Sequence, residues 1–169
     1  TRAGLYAAEE AVGGWVGERA EARREPEDVA GRSGGEDGAG DPSPGTAEGV
    51  CRSTLTVSRR LWKQDDLTGL TVAVQGIGHV GGYLADKLHK AGAKLVMTDV
   101  NTGLLEEVAA RTGAEVVAPD AIYDVKADIY APCALGATLN PQTLDRLSAK
   151  AVVGAAHHQL ATPEIGRIL

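Results

Sequence analysis

A chain of 169 residues, 43% of them hydrophobic, suits one domain and leaves little room for two. Its net charge of −6 argues against a nucleic-acid or anionic-membrane surface as its main business. No apolar run reaches the roughly 20 residues of a membrane span, and no signal peptide is visible, so a cytoplasmic protein is expected. In chain order, Tyr6 to Arg24 reads as a short helix rich in Ala, Glu and Arg, interrupted by Gly13, Gly14 and Gly17. From Glu25 to Gly45 the composition turns to Gly, Glu, Asp, Ser and Pro, a mobile loop. Residues 1–37 are therefore set apart from a domain over 38–169.

The run Gly38 to Thr46 reads as a structured helix entry, with Asp41 or Ser43 to cap and a proline in the first turn. The helix is expected from Thr46 to Trp62. Thr71, Val72 and Val74 then open a buried strand. It runs into Gly76-Ile77-Gly78-His79-Val80-Gly81, a G-x-G-x-x-G turn. A helix follows with Val80, Leu84 and Leu88 on one face, then a strand from Ala93 to Thr98 that ends at Asp99. Strand, glycine turn, helix, strand and acid form a complete dinucleotide-binding unit. Gly76 allows the tight turn, Gly78 lets a pyrophosphate approach the backbone, and Gly81 lets helix and strand pack closely. The helix start offers free N–H groups and a partial positive charge to phosphates. Asp99 accepts from a ribose diol and repels a 2′-phosphate, which favours NAD over NADP.

Thr102 to Thr112 reads as a helix with Leu104, Leu105 and Val108 inward, and Glu115 to Val117 as a short strand. Pro119 to Tyr123 gives one helical turn, Asp128 to Pro132 a strand, Pro141 to Leu147 a helix, and Ala151 to Gly154 a fifth strand. Pro163 to Leu169 closes the chain with a turn or two of helix. Strands alternating with helices predict an α/β fold, a doubly wound Rossmann-type parallel sheet of about five strands in a single domain. The sequence has no Phe, so Val, Leu, Ile and Ala must build the core. Cys51 and Cys133 stand far apart without metal-ligand spacing and read as reduced thiols, Cys133 as a small core residue after its strand. No metal site is expected.

Four segments resemble the glutamate/leucine/phenylalanine/valine dehydrogenase family, most closely its leucine and valine branch. They are GAGDPSPGTAEGV at Gly38–Val50, VAVQGIGHVG at Val72–Gly81, DIYAPCALGATLN at Asp128–Asn140 and VVGAAHHQLA at Val152–Ala161. The similarity runs from about Gly31 to the C-terminus. It implies NAD-dependent oxidative deamination of an amino acid, or the reverse reaction. Carried over by position, Gly76, Gly78, Gly81 and Asp99 match the dinucleotide contacts, with His79 and Val80 in the same turn. Thr46 matches the threonine that contacts the nicotinamide amide. Ala134-Leu135-Gly136-Ala137, following Cys133, matches the loop against the nicotinamide ribose.

The departures are as informative. The family precedes this domain with one that carries a substrate-binding lysine, a catalytic lysine and an aspartate, but no lysine stands before Gly31 here. The expectation is a truncated dehydrogenase-like protein, a homo-oligomer or one completed by a partner chain, acting on a small molecule. The alternatives are a non-redox cyclase or isomerase on the same fold, or a cofactor-binding subunit without chemistry. Where the family reads Ala-Asn-Asn-Gln, this chain reads Ala156-His157-His158-Gln159. An imidazole titrates near a pKa of about 6.5 and can move a proton where an amide only orients. His157 and His158 are therefore the acid–base candidates, with Asp41, Thr46 and His79 as neighbours across the cleft. The other reading keeps the pair in the hydrogen-bonding role of the two amides. His89, at the far end of the glycine-turn helix, is expected on the surface.

Overall fold

The computed structural model describes residues 4–7 (backbone alone), 41–134, 136, 138–156 and 160–162. In chain order these give β1 (Gly4–Ala7), α1 (Ser43–Leu61), β2 (Thr71–Gln75), α2 (His79–Lys90) and β3 (Lys94–Thr98). Then come α3 (Thr102–Thr112), β4 (Glu115–Val116), a 3-10 turn (Ala121–Asp124), β5 (Ile129–Pro132), α4 (Pro141–Leu144) and β6 (Ala151–Gly154). The strands form one parallel sheet in the order β1-β6-β5-β2-β3-β4. From the central β2 the chain winds outward through β3 and β4, then returns to β5 on the other side of β2. That reversal makes a doubly wound α/β sheet and opens a crevice at the carboxyl ends of β2 and β5.

Alternation along each strand splits the core in two. Val72, Val74, Leu95, Met97, Ile129, Ala131, Ala151 and Val153 face α1, α2 and α3 with Val50, Val57, Leu84, Leu88 and Val108. Ala73, Val96, Tyr130 and Val152 face the opposite layer with Ile122, Tyr123 and Leu139. Parallel strands buried on both faces need such continuous apolar runs, which is why β2, β5 and β6 read as unbroken hydrophobic segments. The glycine-turn helix buries Val80, Leu84 and Leu88 on one face as its spacing predicts, and His89 is exposed.

The parallel sheet of about five strands is present, and one expectation needs correction. β1 adds an edge strand, pairing with β6 in register from Gly4↔Ala151 to Ala7↔Gly154. Tyr6 and Ala7, assigned above to the start of a helix, lie in that strand. Local composition favoured a helix, but backbone pairing at a sheet edge decides the outcome. The rest of the expected Tyr6–Arg24 helix, the 25–40 loop and the closing 163–169 helix lie outside the described residues. No helix among the described residues is long and apolar enough to cross a membrane.

One ion pair ties the first two helices together: Lys87 Nζ on α2 lies 2.6 Å from Glu48 Oε2 on α1. Hydrogen bonds from Lys87 and then Arg52 pull the Glu48 carboxyl down to about 2. A depressed carboxylate contributes stability above its unfolded pKa, and that stability is lost as pH falls through the folded value. The Glu48 contribution is thus whole above about pH 4.5 and fades towards about pH 2. Glu48→Gln is expected to flatten the stability profile in that window and leave its shape above pH 5 unchanged. Urea unfolding at a series of pH values checks this.

Candidate dinucleotide site

The crevice is built by the turn that joins β2 to α2. Gly76 has φ +93°, a conformation side chains rarely adopt. A Cβ there would lie 2.5 Å from the Ala134 backbone nitrogen, so β5's exit packs directly on the turn. A Cβ on Gly81 would overlap the Gly76 carbonyl oxygen, which is the close helix–strand approach read from the sequence. Gly78 is different. It is exposed, and nothing lies within 4 Å of where its Cβ would project. The two inward glycines are demanded by packing, while Gly78 leaves room on the solvent side of the turn.

The helix starts set this site apart. On α1, the Ser43 N–H donates to Asp41 Oδ1 at 2.9 Å. On α3, Leu104 donates to Asn101 Oδ1 at 3.2 Å, and on α4 both Gln142 and Thr143 donate to Asn140 Oδ1. At α2 no side chain accepts from the first turn, and Gly78 itself is the cap. Uncapped amides at an exposed helix start are donors aimed outward. Val80 is buried in the core, so only its backbone N–H faces this way.

Asp99 sits at the end of β3, half-buried, and reaches over to the turn. Its Oδ2 accepts from the Ile77 N–H at 2.5 Å and its Oδ1 from the Asn101 N–H at 2.7 Å. An ionised carboxylate has about four acceptor positions, so two remain for a diol. Asp41, just before α1, lies near enough to His79 for the charge of His79 to bear slightly on its carboxyl, which brings the starts of α1 and α2 near each other. The Asp41 carboxyl is held below its usual range chiefly by hydrogen bonds from Ser43. Thr46 Oγ1 donates back to the Pro42 carbonyl at 3.3 Å. Cys133 and Ala134 close the β5 side, with the Cys133 N–H on the Gln75 carbonyl at 2.7 Å. After β6, the Ala155 and Ala156 N–H groups both donate to the Pro132 carbonyl, at 3.0 and 2.9 Å. Leu135, His157 and His158 lie outside the described residues. Among the described residues no group of three or more His, Cys, Asp or Glu could hold a metal ion.

Three residues at the crevice were missed in the sequence. The Gln75 side chain, one residue before Gly76, donates through Nε2 to Tyr123 Oη at 2.9 Å and accepts from Tyr130 Oη through Oε1. A polar residue ending an otherwise apolar strand was the available signal.

The sequence profile of the glutamate/leucine/phenylalanine/valine dehydrogenases matches residues 38–108, the stretch that holds α1, the glycine turn and Asp99. The chain is similar to this family over that stretch. Similarity to individual family members runs further, into the N-terminal segment that the resemblance above left out. Leucine dehydrogenase of Thermoactinomyces intermedius is 43% identical over 166 residues, 98% of this chain and 45% of that relative. The chain thus spans under half the length of the curated relatives it matches. The structure of L-tryptophan dehydrogenase from Nostoc punctiforme superposes with a TM-score of 0.72 at 40% identity, covering 76% of this chain and 39% of that one. Hetero-hexameric glutamate dehydrogenase of Thermus thermophilus shares the fold at 21% identity, with a TM-score of 0.66 over 95% of this chain and 42% of that one.

Proposed function

We propose that this chain carries the dinucleotide-binding part of an amino-acid-dehydrogenase-like oxidoreductase. Its cofactor is NAD(H) and its small-molecule substrate an amino acid, imine or 2-oxo acid. The observation that carries the reading is the open ground at Gly78 in front of a helix start whose first-turn amides have no side-chain acceptor. When bound, the nicotinamide supplies hydride transfer. The protein's part is to bind and orient. The first-turn amides of α2 hold the pyrophosphate, and the free lone pairs of Asp99 take the adenosine ribose while its charge disfavours a 2′-phosphate. By the family resemblance we assign Thr46 and Cys133-Ala134-Leu135 to the nicotinamide side, and His157 and His158 to proton transfer.

Gly78→Ala tests this directly. The new methyl meets no protein atom, so the thermal midpoint should hold. It does fill the space a pyrophosphate needs, and overpacking of ~1–3 kcal/mol weakens NADH about tenfold or more. Fluorescence titration with NADH reads the result. A parent protein that does not bind NADH, or a variant that binds it equally well, would reduce the turn to a structural feature.

A further inference from the structure

The layer opposite α1 and α2 carries a polar trio at its top edge. Ala73, Val96, Ile122, Leu139 and Val152 pack there beside Tyr123 and Tyr130. Tyr130 is fully buried, yet its hydroxyl and that of Tyr123 both engage the Gln75 amide. The two rings lie 6.0 Å apart, centroid to centroid, tilted by 44°, and the amide bridges their hydroxyl ends. Both polar ends of the amide are thereby satisfied. The outer ring is pinned in turn: the Arg146 guanidinium lies 5.4 Å from the Tyr123 centroid and pairs with Asp120 and Asp124 at 2.9 and 2.7 Å. Leu and two Phe would fill the same volume with no polar group to satisfy, so packing does not explain the trio. A fully satisfied buried network fixes orientation, whereas an apolar cluster tolerates several.

What it orients is Gln75, the residue that enters the glycine turn. The Gln75 main chain is tied by its carbonyl to Cys133, and the next amide, Gly76, donates to the Thr98 carbonyl at 2.9 Å. We infer that Gln75 is a positioning residue for the dinucleotide turn, its amide clamped by Tyr130 and Tyr123 so that the turn and the first-turn amides of α2 that follow it are aimed before any ligand arrives. This rests on the dinucleotide reading above for its functional meaning, though not for the clamp itself. Burial holds the Tyr130 hydroxyl protonated far above the ordinary tyrosine range, so it remains a donor throughout the working pH range.

The test uses Tyr130→Phe, Gln75→Leu and the double variant in the whole chain. Each keeps the volume but leaves a buried polar partner unpaired, so the thermal midpoint should fall modestly in either single variant and recover in part in the double one. NADH affinity should fall about fivefold or more in either single variant, and the double variant should be no weaker than the worse single one, as coupled partners require. Hydrogen exchange is the second measurement and needs no ligand. The Gly76 and Ile77 amides should exchange about tenfold faster, with those of Val72 and Val74 unchanged. Parent-like exchange at Gly76 and Ile77 overturns the proposal, and so does an affinity loss that only follows a loss of stability. If the parent binds no NADH, the dinucleotide reading fails and the exchange arm alone decides whether the clamp orders the turn.

Discussion

Gly76→Ala is expected to lower the unfolding temperature by on the order of 10 °C and to abolish NADH binding. Two costs act together at this position. A side chain at φ +93° is strained by ~1–3 kcal/mol, and the new Cβ lies 2.5 Å from the Ala134 backbone nitrogen and 2.8 Å from its Cα. Backbone atoms cannot swing aside as a flexible side chain would, so overpacking adds a further ~1–3 kcal/mol. Relief would require β5's exit at Cys133 and Ala134 to move away from the turn. That would pull on the Cys133 N–H bond to the Gln75 carbonyl and open the crevice from its floor. Gly78→Ala is the internal control, because its methyl projects into open space from the same turn. Scanning calorimetry on both variants gives the contrast. A shift of under about 3 °C for Gly76→Ala would mean that the β5 exit yields easily and that the turn is not held by it.

The parts of this molecule that follow local rules could be read in advance. Val72 and Val74 facing one layer and Ala73 the other, Leu84 and Leu88 on the buried side of α2, and the Asn101 cap on α3 depend on residues within one or two turns of each other. The glycine turn was equally legible, since Gly76 and Gly81 are demanded by close packing. The misses are long-range. β1 is four residues whose neighbours favour a helix, and it exists through backbone pairing with Ala151–Gly154 at the far end of the chain. Gln75 meets Tyr123 and Tyr130 from 48 and 55 residues away, a contact no spacing rule reaches. Asp99 was legible as an acid closing the second strand. Its bond to Ile77 was not, because it depends on how far the turn folds back over β3.

That bond makes Asp99→Ala the more telling substitution at the adenosine end. In the parent the carboxylate does two things at once. It closes the turn through Ile77, and its unused lone pairs are the acceptors that the proposed ribose contact would use. Alanine removes both. The Ile77 N–H loses its acceptor, and the ribose hydroxyls lose a charged one, each worth ~1–3 kcal/mol. NADH affinity is therefore expected to fall by roughly 10²-fold or more, with Ile77 amide protection falling in the ligand-free protein. Asp99→Asn separates the roles. Its single carbonyl oxygen can still accept from Ile77, while its amide turns a donor towards the Asn101 N–H. The turn should remain closed, NADH should weaken by only about tenfold, and the ratio of NADPH to NADH affinity should rise because the charge that repels a 2′-phosphate is gone. Titrating both nucleotides against both variants, with exchange at Ile77 as the second readout, distinguishes the cases. Equal NADH loss in Ala and Asn would place the whole effect on charge and none on the turn. Loss confined to Ala would make Asp99 chiefly the latch that holds Ile77, with discrimination between the two cofactors lying elsewhere in the crevice.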